Sequence, residues 1–153
     1  MLEYHRAGRG ATANWSRDVW SHHVHPNEKL LREAYEAMAA GDGRSLARLL
    51  AAQTTWVIGG RGPLSGSYHG PDQIFGLWKA IAAQTGGGLR LEVEDVLAND
   101  QRGVVLVVAR GERHGRHLDE RQVAVFEFSD DATVRRASFI YEDPQAYDSF
   151  WSD

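Results

Sequence analysis

The sequence predicts an α+β domain, a curved antiparallel sheet roofed by three N-terminal helices and enclosing a cone-shaped pocket. Three observations carry this prediction. Apolar residues recur at helical spacing through the first half of the chain. The second half holds four long segments rich in β-branched and aromatic residues. The connections between those segments are short, as antiparallel hairpins require. Helices gathered ahead of a run of strands cover one face of the sheet, and a bent sheet covered that way leaves room for a small molecule.

Residues 1–25 lack sustained periodicity and read as an extension, with residues 26–153 as the domain. Trp15 and Trp20 are too apolar for a purely solvated tail, so the extension is expected to dock on its own domain or on a second subunit. The first helix starts at His25-Pro26-Asn27, where Pro26 suits a first turn and Asn27 is a plausible cap. Leu30, Leu31, Ala34, Tyr35 and Met38 form its apolar stripe, and Gly41 ends it. A shorter helix turns Leu46, Leu49 and Leu50 inward. Thr54–Ile58 reads as a strand closed by Gly59-Gly60, and Arg61–Gly70 as a loop. Pro71 opens a third helix with Ile74, Leu77, Trp78 and Ile81 buried, broken by Gly86-Gly87-Gly88. Leu89–Ala98, Gly103–Arg113, Leu118–Phe128 and Thr133–Asp143 follow as strands. They are parted by Asn99-Asp100, His114-Gly115 and Ser129-Asp130-Asp131. Pro144–Trp151 makes a last short helix anchored by Tyr147, Phe150 and Trp151.

Composition narrows the function classes. With 153 residues and a net charge of −4, the chain suits one domain with no general attraction to nucleic acid or anionic membrane. It contains no cysteine, which removes disulfides, thiolate metal sites and a cysteine nucleophile. No apolar run approaches the ~20 residues of a membrane helix, and residues 1–14 hold nothing like a signal peptide. A cytoplasmic location is expected. His22, His23 and His25 cluster, but a metal site needs ligands converging from a rigid framework, and no metal is predicted. Gly86-Gly87-Gly88 lacks the Lys-Ser/Thr that follows a phosphate loop, and no nicotinamide or flavin signature appears, so no cofactor is expected.

Several stretches, in their order and spacing, resemble the SnoaL-like, ketosteroid-isomerase-like branch of the nuclear-transport-factor-like superfamily. They are Met38-Ala39-Ala40-Gly41-Asp42, then Trp56-Val57-Ile58-Gly59-Gly60 with Gly66-Ser67-Tyr68-His69-Gly70, and the hairpin Arg113-His114-Gly115-Arg116. The ending Tyr141-Glu142-Asp143, Tyr147-Asp148, Phe150-Trp151 completes the set. The resemblance spans Pro26 to the C-terminus and implies the same roofed sheet. Ketosteroid isomerases use a carboxylate base and an oxyanion hole of a Tyr and a protonated acid. Carried over, these positions fall on Ile58, Ala34 and Ala124, all apolar, so steroid isomerisation by that route is not expected. The same registers turn Val107, Ala109, Gln122, Ala124, Phe126, Phe139, Tyr141 and Asp143 toward the cone, with Trp56, Ile58 and Trp78 closing its walls. Such a lining suits an apolar ligand, polycyclic ones included.

Asp143 is the first candidate base, since a carboxylate at a strand end below apolar walls would have its pKa raised by desolvation. The competing reading makes it the cap of the helix that starts at Pro144. Tyr141 is either a donor to a developing oxyanion or a wall residue. His69, at the expected pocket rim, is a second candidate base, whereas His114 sits where a tight hairpin turn is needed. The leading function is a cofactor-free acid/base enzyme of the isomerase, cyclase, dehydratase or epoxide-opening type. The alternative is a non-catalytic binding or dimerisation module. Apolar residues at both parities of Val104–Val108 and Val123–Phe126 predict a homodimer through the outer face of the sheet.

Overall fold

The computed structural model describes residues 24–153, so Trp15, Trp20, His22 and His23 lie outside the described residues. Helix α1 runs over Pro26–Ala40 and α2 over Gly43–Ala47. Strand β1 covers Leu50–Ile58, β2 Gly66–His69, and helix α3 Gly70–Gln84. Strands β3 (Arg90–Ala98), β4 (Arg102–Arg113), β5 (Arg116–Phe128) and β6 (Val134–Tyr141) follow, and helix α4 (Pro144–Trp151) closes the chain. No described helix is long and apolar enough to cross a membrane.

Pro26 does open α1, but the cap is His25, whose Nδ1 accepts from the Asn27 N–H at 3.0 Å while Nε2 lies 2.8 Å from Asp100. Asn27 is not the cap. It is buried and donates to the Asn99 carbonyl, which ties the helix start to the β3–β4 turn. Leu31, Ala34, Tyr35 and Ala37 form the buried stripe, and Gly41 at φ 70° ends the helix with its N–H returning to Met38. A Cβ on Gly103 would overlap Leu31 Cδ1, so this glycine lets α1 settle onto β4.

The six strands lie in the order β2-β1-β6-β5-β4-β3. Five strands were legible, the last four as antiparallel hairpins within an antiparallel sheet, but β1 and β6 pair in parallel, with Trp56 beside Ala137 and Ile58 beside Phe139. That pairing joins segments about half the chain apart, which local patterns do not encode. Strand β1 also starts earlier than expected, at Leu50. An irregularity between Leu50 and Thr55 is stitched by the buried Thr54 hydroxyl, which accepts from the Ala51 N–H and donates to the Val134 carbonyl. Strand β2 was expected as loop. It pairs with β1 and carries the chain into α3.

One face of the sheet is concave and buries the core. Along it, Val93, Val107, Gln122 and Tyr141 lie in one cross-strand row, and Val105, Ala124, Phe139 and Ile58 in the next. Helix α4 closes the end of this face. Arg113, buried, donates to the Phe150 and Ser152 carbonyls at 3.2 and 3.0 Å and pairs with Asp153, which holds Tyr147 and Trp151 against the sheet. The opposite face is convex and uncovered among the described residues. It carries Leu97 and Ile140, 59% and 57% exposed, beside Leu106, Val104, Val123 and Val125. Ion pairs Arg110–Glu92, Arg121–Glu94 and Arg135–Glu127 surround this patch.

Candidate functional site

Between the concave face, α1, α3 and α4 lies a cavity of about 1170 Å³. Its walls are mostly apolar and aromatic. Trp56 meets Trp78 edge-on at 5.4 Å and Phe139 at 4.9 Å, and Phe75 meets Trp78 at 5.3 Å. The exposed lining residues Asp72, Lys79, Arg90 and Glu92 mark its mouth. Polar groups also gather at the buried end. There Tyr35 from α1, Tyr141 from the end of β6, and Tyr147 and Trp151 from α4 come together with Gln122.

Seven of the residues expected to face the cone line this cavity: Trp56, Ile58, Trp78, Ala109, Gln122, Phe139 and Tyr141. Three others point the same way but are sealed beneath the lining. Phe126 is covered by Tyr35 and Trp56, whose rings approach it at 6.5 and 5.9 Å, while Val107 and Ala124 sit in the packed layer of the core. Ile58 lines the cavity as an apolar wall, and Ala34 is buried, so the isomerase base and oxyanion positions carry no polar side chain.

The two expected bases are elsewhere. Asp143 is exposed and caps α4, its Oδ1 accepting from the Ala146 N–H at 3.0 Å. The inward alternation that would have aimed it at the cone stops at Tyr141, because β6 ends there and the chain bends into the helix. His69 is exposed as well. It ends β2, and its Nδ1 lies 3.3 Å from the Thr55 hydroxyl rather than on the cavity.

The residues missed by sequence reasoning are Tyr35, Tyr147, Trp151 and Glu120. The first three have the pattern of ordinary core aromatics, and nothing local distinguishes them. Glu120 had a signal, since it shares the inward parity of Gln122. It is buried and accepts from the Asp143 N–H. Burial pushes the Glu120 carboxyl above the usual range. The Asp143 N–H opposes that shift, and Asp143, Glu142 and Asp119 add to it.

The tyrosines of the inner end are held neutral. Burial raises the pKa of Tyr35 and of Tyr141, and for Tyr141 the neighbouring Tyr147, Asp148 and Tyr35 push the same way. Burial also raises Tyr147, with Tyr141 and the Trp151 indole beside its hydroxyl pulling back. All three phenols therefore keep their protons at any ordinary pH and can donate. Asp148 stands behind them. Its Oδ2 accepts from the Arg61 N–H at 2.7 Å, and Gly60, at φ 86°, packs so tightly on Oδ1 that a Cβ there would overlap it. The phenols of this array can donate to a bound oxygen, while the Asp148 carboxylate beside them opposes negative charge there. Among the described residues no group of His, Cys, Asp and Glu is arranged to hold a metal ion.

A family model for a SnoaL-like domain matches residues 31–136. The uncharacterised protein Rv0034 of Mycobacterium tuberculosis (strain H37Rv) is 31% identical over 124 residues, covering 80% of this chain and 94% of Rv0034. Among solved structures, Bal32a from a soil-derived mobile gene cassette is 29% identical with a TM-score of 0.78, over 82% of this chain and 95% of its own. IdmH from Streptomyces antibioticus, a candidate polyketide cyclase, has the same fold at 20% identity and a TM-score of 0.62, over 77% of this chain and 93% of its own.

Proposed function

The chain belongs to the SnoaL-like family, and from that premise we propose that it is a cofactor-free enzyme of the isomerase or cyclase kind. Its substrate is an apolar metabolite, polycyclic ones included, held in the cavity between sheet and helices. The observation that carries this reading is a large aromatic-walled cavity whose buried end holds Tyr141, a phenol whose pKa burial raises. A neutral phenol placed against a substrate carbonyl favours enolisation by stabilising the enolate oxygen while a water molecule takes the proton from the adjacent carbon, the step shared by double-bond isomerisation and aldol-type cyclisation. The likeness to IdmH supports the cyclase side of this reading. A non-catalytic binding module is the second reading, and it is favoured by the placement of Asp143 and His69 outside the cavity.

The two readings separate by hydrogen–deuterium exchange at carbons next to the carbonyl of a polycyclic ketone, followed by NMR in deuterated buffer. An enzyme accelerates the exchange, and Tyr141→Phe slows it by roughly 10- to 1,000-fold. Binding without acceleration would leave the module. We further propose residues 26–153 as the SnoaL-like domain with 1–25 as an extension, a cytoplasmic location, and a homodimer joined through the convex face. The exposed Leu97, Leu106 and Ile140 support the dimer.

A further inference from the structure

The chain enters its first helix at the border of the convex apolar patch. His25 Nε2 lies 2.8 Å from Asp100, and the Asn27 amide donates to the Asn99 carbonyl at 3.0 Å, so the start of α1 is pinned to the β3–β4 turn. Leu97, two residues before Asn99, stands at this end of the patch, and Val24, where the described residues begin, is 49% exposed. The patch itself is two cross-strand rows, Leu97–Val104–Val125 and Leu106–Val123–Ile140. Two such rows on four strands cover on the order of 300 Å². A stable interface needs about 800 Å² on each partner. The ion pairs around the patch do not make up the difference, because exposed charge pairs contribute little. Residues 1–23 carry apolar side chains that could, among them Trp15, Val19 and Trp20. A tryptophan buries about 150–250 Å², so two of them and a valine bring each side close to the area required.

We propose that residues 1–23 of each copy complete the dimer interface, packing Trp15, Val19 and Trp20 on the convex face of the partner copy. This rests on the proposed dimer through that face, and it names the part of the chain that holds the dimer together. When two copies meet through their convex faces, each patch is covered by the other. A segment that leaves at the border of its own patch then meets the seam between the copies, and the apolar surface open to it belongs to the partner. Its reach is ample, since 23 residues extend up to about 75 Å, several times the roughly 15 Å width of four strands. Tryptophan also suits the role, because buried indoles are among the side chains that anchor interfaces most strongly.

Two measurements on the full chain test this. In sedimentation equilibrium, Trp15→Ser combined with Trp20→Ser is expected to weaken association about 100-fold or more, with the circular dichroism spectrum unchanged. In the second, a photoreactive benzoyl-phenylalanine replaces Trp20, and a mixture of isotope-labelled and unlabelled copies is irradiated. Mass spectrometry is expected to find cross-links that join a labelled to an unlabelled chain and end on convex-face residues of β3 to β6. This variant decides the matter alone if the tryptophan pair proves necessary for folding. The inference is overturned if the double variant associates as tightly as the wild type. It is equally overturned if the cross-links stay within one chain, which would place the segment on its own domain, or if they avoid the convex face. A dimer that Ile140→Arg dissociates and the tryptophan variant does not would leave the dimer standing and remove only this inference. A wild type that stays monomeric at every concentration removes the dimer, and this inference with it.

Discussion

Replacing Tyr35 with phenylalanine deletes one oxygen and leaves the ring, so its effect on the free protein isolates the cost of an unpaired buried hydroxyl. The ring keeps its edge contact with Phe126 and its place in the α1 stripe. Among the described residues the hydroxyl has no protein acceptor, and a buried polar group without a partner costs about 1–3 kcal/mol. Taking the lower part of that range, Tyr35→Phe is expected to stabilise the ligand-free protein by roughly 1 kcal/mol. With an unfolding entropy of about 2 cal/mol/K per residue, that raises the melting temperature by about 4 °C for a domain of this size. Urea denaturation is the assay, with a shifted midpoint at constant slope marking a change in stability rather than in the denatured state. Destabilisation by more than about 1 kcal/mol would refute the reasoning, since it would mean that the hydroxyl is hydrogen-bonded in the free protein.

Gly76 lines the cavity from the interior of α3, and a Cβ there meets nothing within 4 Å among the described residues. Gly76→Ala is therefore expected to gain up to about 1 kcal/mol in thermal melts, whereas Gly76→Phe keeps the fold but abolishes binding of a polycyclic ketone in a calorimetric titration. For Glu120 the folded-state pKa is raised, so the stability it contributes is present below the ordinary glutamate range and is lost as pH rises through the folded value. Glu120→Gln keeps an acceptor for the Asp143 N–H and cannot ionise, so its urea midpoint should exceed the wild type near pH ~7 and match it near pH ~4. Ile140→Arg, on the convex face, should convert a dimer at micromolar concentration into a monomer by sedimentation, and a wild type that already sediments as a monomer removes the dimer proposal.

What the sequence determined by itself is whatever repeats locally. Helical spacing put Leu31, Ala34 and Tyr35 on one stripe. Strand alternation turned Gln122, Phe139 and Tyr141 inward, because a pleated strand leaves each side chain only two directions. Turn chemistry placed the β4–β5 hairpin correctly, with His114 and Gly115 both at positive φ, where a short turn needs them. The same alternation misled at Asp143. Parity carries forward only while the ladder continues, and the bend after Tyr141 converts an expected pocket carboxylate into a helix cap. The tertiary structure decided the rest. The parallel β1–β6 pair joins segments remote in sequence. The inner end of the cavity gathers Tyr35, Tyr141, Tyr147 and Trp151 from three separate elements. Each of those four has the pattern of a core aromatic in its own helix or strand. Only the packing shows that two of their donors are buried without a partner among the described residues, because an unsatisfied hydrogen bond is a property of everything around the atom rather than of the residue that carries it.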